Sequence, residues 1–184
     1  MNTKNYAFGL VLMGASMVTW AADATPHSPY AGQEGRKIKS LSASDVEALT
    51  QGKGWGLAKP AELNGVPGPA HILELKEQLE LTAQQESTIQ ALWQDMNQQA
   101  QTYGARYLQS EAKIEQFFAQ GQTDQDVLSQ LLDESASSLA KLRSVHLQAH
   151  IAAKPVLTYH QNMLYQKLRG YNADGGHSGH HHHH

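Results

Sequence analysis

The sequence predicts an all-α protein built on a long antiparallel helical hairpin with short flanking helices. Apolar residues recur every three or four positions over two long stretches, and glycine or proline separates these stretches from their neighbours. No segment alternates apolar and polar residues with the period of two that indicates a half-buried strand. The 184 residues allow one ordinary domain.

The first 24 residues have the layout of a secretory signal peptide. Lys4 supplies a positive charge, residues 7–18 are apolar or small and uncharged, and Ala22 and Ala24 suit a cleavage site. The apolar run is shorter than the roughly 20 residues that cross a bilayer as a helix. We therefore expect export to the periplasm of a Gram-negative source, with no membrane span after cleavage.

Residues 25–68 form a predicted Gly- and Pro-rich N-terminal arm that contains a short helix. This helix is expected over residues 41–51, with Ser42 as its N-cap and Asp45 three residues later. The glycine-rich turn behind it lacks the GK[ST] ending of a phosphate-binding loop. One further helical turn is expected at 59–63.

Residues 69–170 form the predicted helical domain. Thr123 is the expected cap before the second long helix, Pro155 ends or kinks that helix, and Gly104 is the weakest interior point of the first. Because two long helices with one apolar stripe each cannot enclose a core, flanking helices, a second copy or a ligand must cover them. A homodimer is the economical expectation. The predicted helices are 69–80, 83–120, 124–153 and 159–169.

Composition excludes several classes of function. The net charge of -3 argues against a nucleic-acid binder, which would carry a basic patch. With no cysteine, the chain has no disulfides, thiolate metal sites or cysteine nucleophile. No catalytic triad, carboxylate pair or nucleotide-binding arrangement stands out, so we expect no enzymatic activity.

The pattern L-T-x-x-Q occurs twice, each time at a predicted helix start. The threonine of a capping box accepts a hydrogen bond from the third residue of the helix, whose glutamine reaches back to the threonine N–H. One capping box is common, whereas two with the same leucine, threonine and glutamine are far more specific. The residues are Leu81, Thr82 and Gln85 in the first copy and Leu157, Thr158 and Gln161 in the second.

With this repeated motif, the chain resembles the LTXXQ family of periplasmic stress proteins. This family includes the Spy/CpxP-like chaperones and related zinc- and heavy-metal-resistance proteins. The resemblance covers roughly residues 69–170 and leaves 25–68 outside it. It implies a helical, often cradle-shaped homodimer without enzymatic activity. Members bind unfolded envelope proteins without ATP, inhibit a sensor kinase or bind transition metals.

Aromatic and methionine side chains on the long helices are candidate client-binding residues, because such side chains adapt to varied partners. Packing inside the hairpin or at a dimer interface is the alternative for most of them. The candidates are Trp93, Met96, Tyr103, Tyr107, Phe117 and Phe118.

A histidine pair suggests metal binding as the alternative function. His146 and His150, four residues apart on one helix, place two imidazoles on one face, as one Zn²⁺, Cu²⁺ or Ni²⁺ ion would require. His160 and Met163, or His71, are the candidates to complete the site. The competing interpretation is that His146 packs in the apolar stripe and His150 faces solvent. No cofactor is required in either case.

The last segment, residues 171–184, is a Gly/His tail that we expect to be disordered. Its six histidines, at 177 and 180–184, make up more than half of the 11 in the chain. A purification tag and a native metal-capture arm have the same composition, and the sequence leaves both open.

Overall fold

The structure, a computed structural model, describes residues 28–171. The chain divides into two compact units, 1–32 and 33–184, and all the described helices belong to the second. The described residues contain no strand, so the prediction of an all-α protein is confirmed. The predicted signal peptide and nearly all of the tail lie outside these residues. The helices are α1 (Ala43–Thr50), α2 (Lys59–Glu62), α3 (Pro69–Glu74), α4 (Ala83–Ala119), α5 (Gln125–Ala153) and α6 (Tyr159–Leu168), with a 3₁₀ turn at Lys154–Val156.

The two long helices, α4 and α5, pack against each other. Near their connecting turn, the Lys113 ammonium lies 2.6 Å from Glu134, and the Ser135 hydroxyl donates to Glu111 over 2.5 Å. The cap of α5 is Asp124 and not the predicted Thr123. Its Oδ1 accepts from the second and third backbone N–H groups of the helix at 2.9 and 3.1 Å, which satisfies two donors with one carboxylate.

The chain before α4, residues 33–82 (the N-terminal segment), packs on the apolar stripes of the long helices. Ile38, Leu41 and Leu49 are buried in one core cluster with residues of α4 and α5. Ile72 and Leu79 are buried in a second cluster with the 3₁₀ turn region and α6. The region predicted as an arm therefore supplies core side chains, and it provides part of the cover that a second copy was expected to give.

Polar contacts fix this segment on α4. The Lys39 ammonium pairs with the Glu115 carboxylate, and the Lys39 backbone N–H donates to the same side chain over 3.2 Å. One residue on, the Ser40 hydroxyl donates to Glu111 over 2.9 Å. Because Lys39 and Ser40 lie between buried Ile38 and buried Leu41, these bonds hold the start of the segment against the long helix.

Helix α3 is shorter than predicted. The amphipathic spacing of 69–80 indicated one helix, but α3 ends at Glu74 and a turn follows. The backbone at Glu80 takes φ 49°, a left-handed conformation that no continuing helix allows. The bend brings Leu79 into the core at 1% exposure and directs the chain into α4. Tertiary packing thus overrides the local pattern.

None of the helices in residues 28–171 combines the length and the apolar character that a membrane crossing requires.

Candidate functional site

The two L-T-x-x-Q motifs are helix caps, and they meet in space. Thr82 and Thr158 each accept a hydrogen bond from the backbone N–H three residues on, over 3.2 Å in both cases. In turn, Oε1 of Gln85 and Oε1 of Gln161 accept a hydrogen bond from the backbone N–H of the threonine, at 3.0 and 2.9 Å. Of the motif leucines, Leu157 is buried and Leu81 packs partly buried in the same cluster.

The two glutamine amides also bond each other. Nε2 of Gln85 lies 2.8 Å from Oε1 of Gln161, and Nε2 of Gln161 lies 3.1 Å from Oε1 of Gln85. Their remaining donor capacity goes to the backbone carbonyls of Val156 and Leu79, at 2.8 and 3.1 Å. The repeated motif therefore joins the start of α4 to the start of α6.

A cavity of about 470 Å³ lies between α2, α3, α5 and residues 169–171. Its lining is mostly apolar and includes Trp55 and Met96, and it includes the predicted histidines His146 and His150. Glu62, which the sequence did not single out, is the buried carboxylate of this wall at 7% exposure.

Most of the hydrogen bonds and charged contacts of the Glu62 carboxylate involve one oxygen, Oε1. Oε1 accepts from the Tyr165 hydroxyl at 2.5 Å and the Tyr171 hydroxyl at 3.1 Å. His71 Nδ1 and Arg169 Nε lie 3.5 and 3.4 Å from the same oxygen. The second oxygen, Oε2, is buried and has no hydrogen-bond partner, and His150 Nδ1 lies 3.8 Å from it.

The pKa of Glu62 reflects these partners. Burial raises it, but hydrogen bonds from His71 and Tyr165 and the charge of His71 outweigh burial and lower the pKa to about 2. Burial, and after it the hydrogen bond to this carboxylate, raises the pKa of the Tyr165 hydroxyl. Glu62 is therefore an ionised carboxylate inside the protein at neutral pH.

The predicted histidine pair lies on the cavity wall. His146 is 2% exposed, and its Nε2 is buried without a hydrogen-bond partner. Burial, followed by the charge of His150, lowers the pKa of His146, so its imidazole is neutral at pH 7. His150 Nδ1 lies 2.7 Å from the Val66 carbonyl, and because a carbonyl only accepts, Nδ1 must carry the proton. His150 is 8% exposed, so it is buried and does not face solvent.

The remaining predicted metal ligands lie elsewhere. His160 is exposed on α6, Met163 is 43% exposed, and neither lines the cavity. His71 does line it, beside Glu62. Within residues 28–171, no three His, Asp or Glu side chains are grouped so that they could hold a metal ion. The four predicted ligands are thus not brought to one point.

The predicted client-binding residues are mostly interior. Met96, Tyr107 and Phe117 are buried at 7%, 8% and 3% exposure, and Trp93 and Tyr103 are partly buried against the first core cluster. Phe118 alone of the six is exposed, at 59%. The core explains most of this apolar pattern.

Sequence reasoning missed Glu62 because its partners are distant in the chain. Tyr165 and Tyr171 lie 103 and 109 residues away, and no spacing rule connects them to an acidic residue in a short helical turn. The one local signal is that this turn carries a glutamate where an amphipathic pattern would place an inward-facing apolar residue.

No family model, no curated protein and no solved structure matches this chain.

Proposed function

We propose that the protein is a non-enzymatic periplasmic stress-response protein of the Spy/CpxP type, which binds unfolded or misfolded envelope proteins without ATP. Its long helices form an antiparallel hairpin, and two copies form a cradle-like homodimer. The repeated L-T-x-x-Q motif supports this assignment, because both copies occupy helix starts and bond each other.

Exposed apolar side chains at the turn end of α4 and α5 carry the proposal. Phe118, Val127 and Leu132 are 59%, 40% and 50% exposed, and none belongs to either core cluster. The N-terminal segment covers other parts of the long helices and leaves these side chains open. Exposed apolar surface is the chemistry that recognises unfolded chains, which expose apolar side chains of their own.

Light scattering during the aggregation of reduced α-lactalbumin tests this function. We expect suppression at stoichiometric amounts without ATP, and loss of most of it in the double variant Phe118→Ser/Leu132→Ser. The matched control is Ile151→Ser, which removes an equally exposed apolar side chain, 68% exposed, at the other end of α5. Absence of suppression by the unmodified protein contradicts the proposal, and equal loss in the control contradicts the assigned surface.

The mass of the protein in solution tests the dimer. Light scattering coupled to size-exclusion chromatography should give twice the chain mass. If the exposed turn end forms the dimer interface instead of a client surface, Phe118→Ser/Leu132→Ser yields a monomer; a dimer that survives these substitutions leaves the apolar end free for clients.

Metal binding for heavy-metal resistance or sensing remains the second candidate function. One observation favours it, namely that Nε2 of buried His146 has no hydrogen-bond partner. His150 donates its Nδ1 proton to the Val66 carbonyl, which leaves Nε2 for a metal ion. Nε2 packs against Gly68, where a Cβ would lie 2.5 Å from it. Zn²⁺, Cu²⁺ and Ni²⁺ titration, with and without the histidine tail, distinguishes a helix site from a tail site.

A further inference from the structure

We propose that the cavity beside Glu62 binds a small organic cation, a protonated amine on an apolar or aromatic body. This site is separate from the exposed apolar end assigned to unfolded clients, and it does not depend on that function. Its volume of about 470 Å³ falls in the range of small-molecule sites.

The unpartnered carboxylate oxygen sets the ligand's polar group. Oε2 of Glu62 belongs to an ionised side chain with 9% exposure, and it accepts no hydrogen bond. A buried charged acceptor without a donor is costly, and an N–H donor that carries a positive charge forms the strongest bond with it. The ammonium of a small amine meets both requirements.

The cationic residues around the cavity do not fill this role. Arg169 Nε lies 3.4 Å from Oε1 and makes no hydrogen bond. His150 Nδ1 lies 3.8 Å from Oε2, but its proton goes to the Val66 carbonyl. Lys59 is exposed at the rim, where its methylene carbons pack against Gly56. Among residues 28–171, Glu62 is the one acidic side chain of the lining, and its Oε2 is left without a hydrogen-bond donor.

A second acceptor is available in the same wall. The neutral imidazole of His146 can carry its proton on Nδ1 and leave Nε2, which has no partner, as an acceptor. An ammonium has three donors, so a bond to Oε2 leaves it donors for a second acceptor, which the single donor of an alcohol does not. Because Oε2 and Nε2 have almost no exposed surface, a side chain of the wall must move when the amine enters.

The apolar walls set the body of the ligand. Trp55 and Met96 bring an indole and a thioether to the lining, and Ala58, Pro69 and Ala70 complete a largely apolar wall. The indole face attracts a cation or stacks on a ring, and sulfur packs favourably on aromatic edges. An aromatic or short aliphatic amine fits this combination better than a fully hydrated inorganic ion.

Calorimetry with three isosteric probes tests the charge preference. We expect phenethylamine to bind with a dissociation constant of about 1 mM or tighter, as expected for a ligand of so few atoms. 2-Phenylethanol should bind at least about fivefold more weakly, since a neutral donor forms the weaker bond. Phenylacetate should not bind measurably. Equal affinity for the three probes, or no binding of the amine, overturns the proposal.

Two variants locate the site. Glu62→Gln keeps the shape and removes the charge, so the preference for amine over alcohol should disappear. Ala70→Leu fills the cavity and leaves Glu62 in place, so amine and alcohol should both be lost. Thermal melts check that each variant is folded. Amine binding that survives both substitutions in folded protein places the amine elsewhere and overturns the site, whatever the result of the client-aggregation assay.

Discussion

Gln85 and Gln161, which are 76 residues apart in the sequence, exchange two amide hydrogen bonds at 2.8 and 3.1 Å. Each glutamine also closes the capping box of its own helix. Each glutamine therefore caps its own helix and also links it to the other, because the paired amides join the start of α4 to the start of α6. This double use explains why both copies need glutamine and not only a residue that caps.

We expect the two glutamines to be energetically coupled. Gln85→Ala and Gln161→Ala should each lower the free energy of unfolding by about 1–3 kcal/mol, since each leaves a partly buried amide and a cap without a partner. The loss of unfolding free energy in the double variant should be smaller than the sum of the two single losses, by about 0.5–1 kcal/mol or more. Urea denaturation of the four proteins gives the coupling energy.

Gln84→Ala is the matched control for this cycle. Gln84 is exposed in the same turn of α4 and makes one long contact, 3.5 Å to Thr88. Its loss should change stability by no more than about 0.5 kcal/mol. Strict additivity of the two motif glutamines would show that the caps act independently and would contradict the cross-link.

The sequence predicts the helix starts, because capping depends on local chemistry. It does not predict that the two motifs contact each other. The capping pattern needs only four consecutive residues, and the start of α4 at Ala83 and of α6 at Tyr159 agrees with it. That the motifs bond each other depends on how α5 and its 3₁₀ turn return the chain, which no local pattern specifies. The burial of Ile38 and Leu49 is equally non-local.

Gly104 shows how tertiary contact reverses a prediction from helix propensity. By helix propensity alone, glycine inside α4 lowers the stability of the helix, and alanine should raise it by up to about 1 kcal/mol. In the structure, a Cβ on residue 104 would lie 2.4 Å from the Leu49 carbonyl oxygen, at the end of α1. We therefore expect Gly104→Ala to destabilise the protein, by about 1–3 kcal/mol.

Gly35→Ala is the control for this substitution. A Cβ there has nothing within 4 Å, and no left-handed φ restricts the residue, so the change should be neutral or stabilising by up to about 1 kcal/mol. Thermal melts of the two variants compare them directly. A rise in melting temperature for Gly104→Ala would mean that α1 does not approach α4 as closely as described.

Glu62 should make stability depend on pH in the acid range. Its pKa falls from an ordinary value of 4.5 to about 2 in the folded protein, so the stabilisation is complete above pH 4.5 and is lost as pH falls toward 2. The contribution is about 2 kcal/mol once solvent screening is allowed for. Urea midpoints of the unmodified protein should therefore change little through Glu62 between pH 7 and 5 and should fall at pH 3.5.

Glu62→Gln should be less stable at pH 7 and should lose part of this acid dependence. Gln at this position cannot titrate, so the difference between the two proteins should narrow as pH falls. The control Glu74→Gln, at an exposed position of α3, should follow the unmodified protein throughout. A constant difference between Glu62→Gln and the unmodified protein at all three pH values would contradict the assigned pKa.

Removal of residues 172–184 should abolish micromolar Zn²⁺ and Ni²⁺ binding. In residues 28–171 no three His, Asp or Glu side chains are grouped for a metal ion, and the tail holds six of the 11 histidines. Imidazole nitrogen binds these ions only when deprotonated, so tail binding should weaken below about pH 6.5. His146→Ala/His150→Ala with the tail intact is the control and should bind as the unmodified protein does. Calorimetry that finds micromolar affinity after tail removal, lost in this double variant, would instead establish the histidine pair as a metal site.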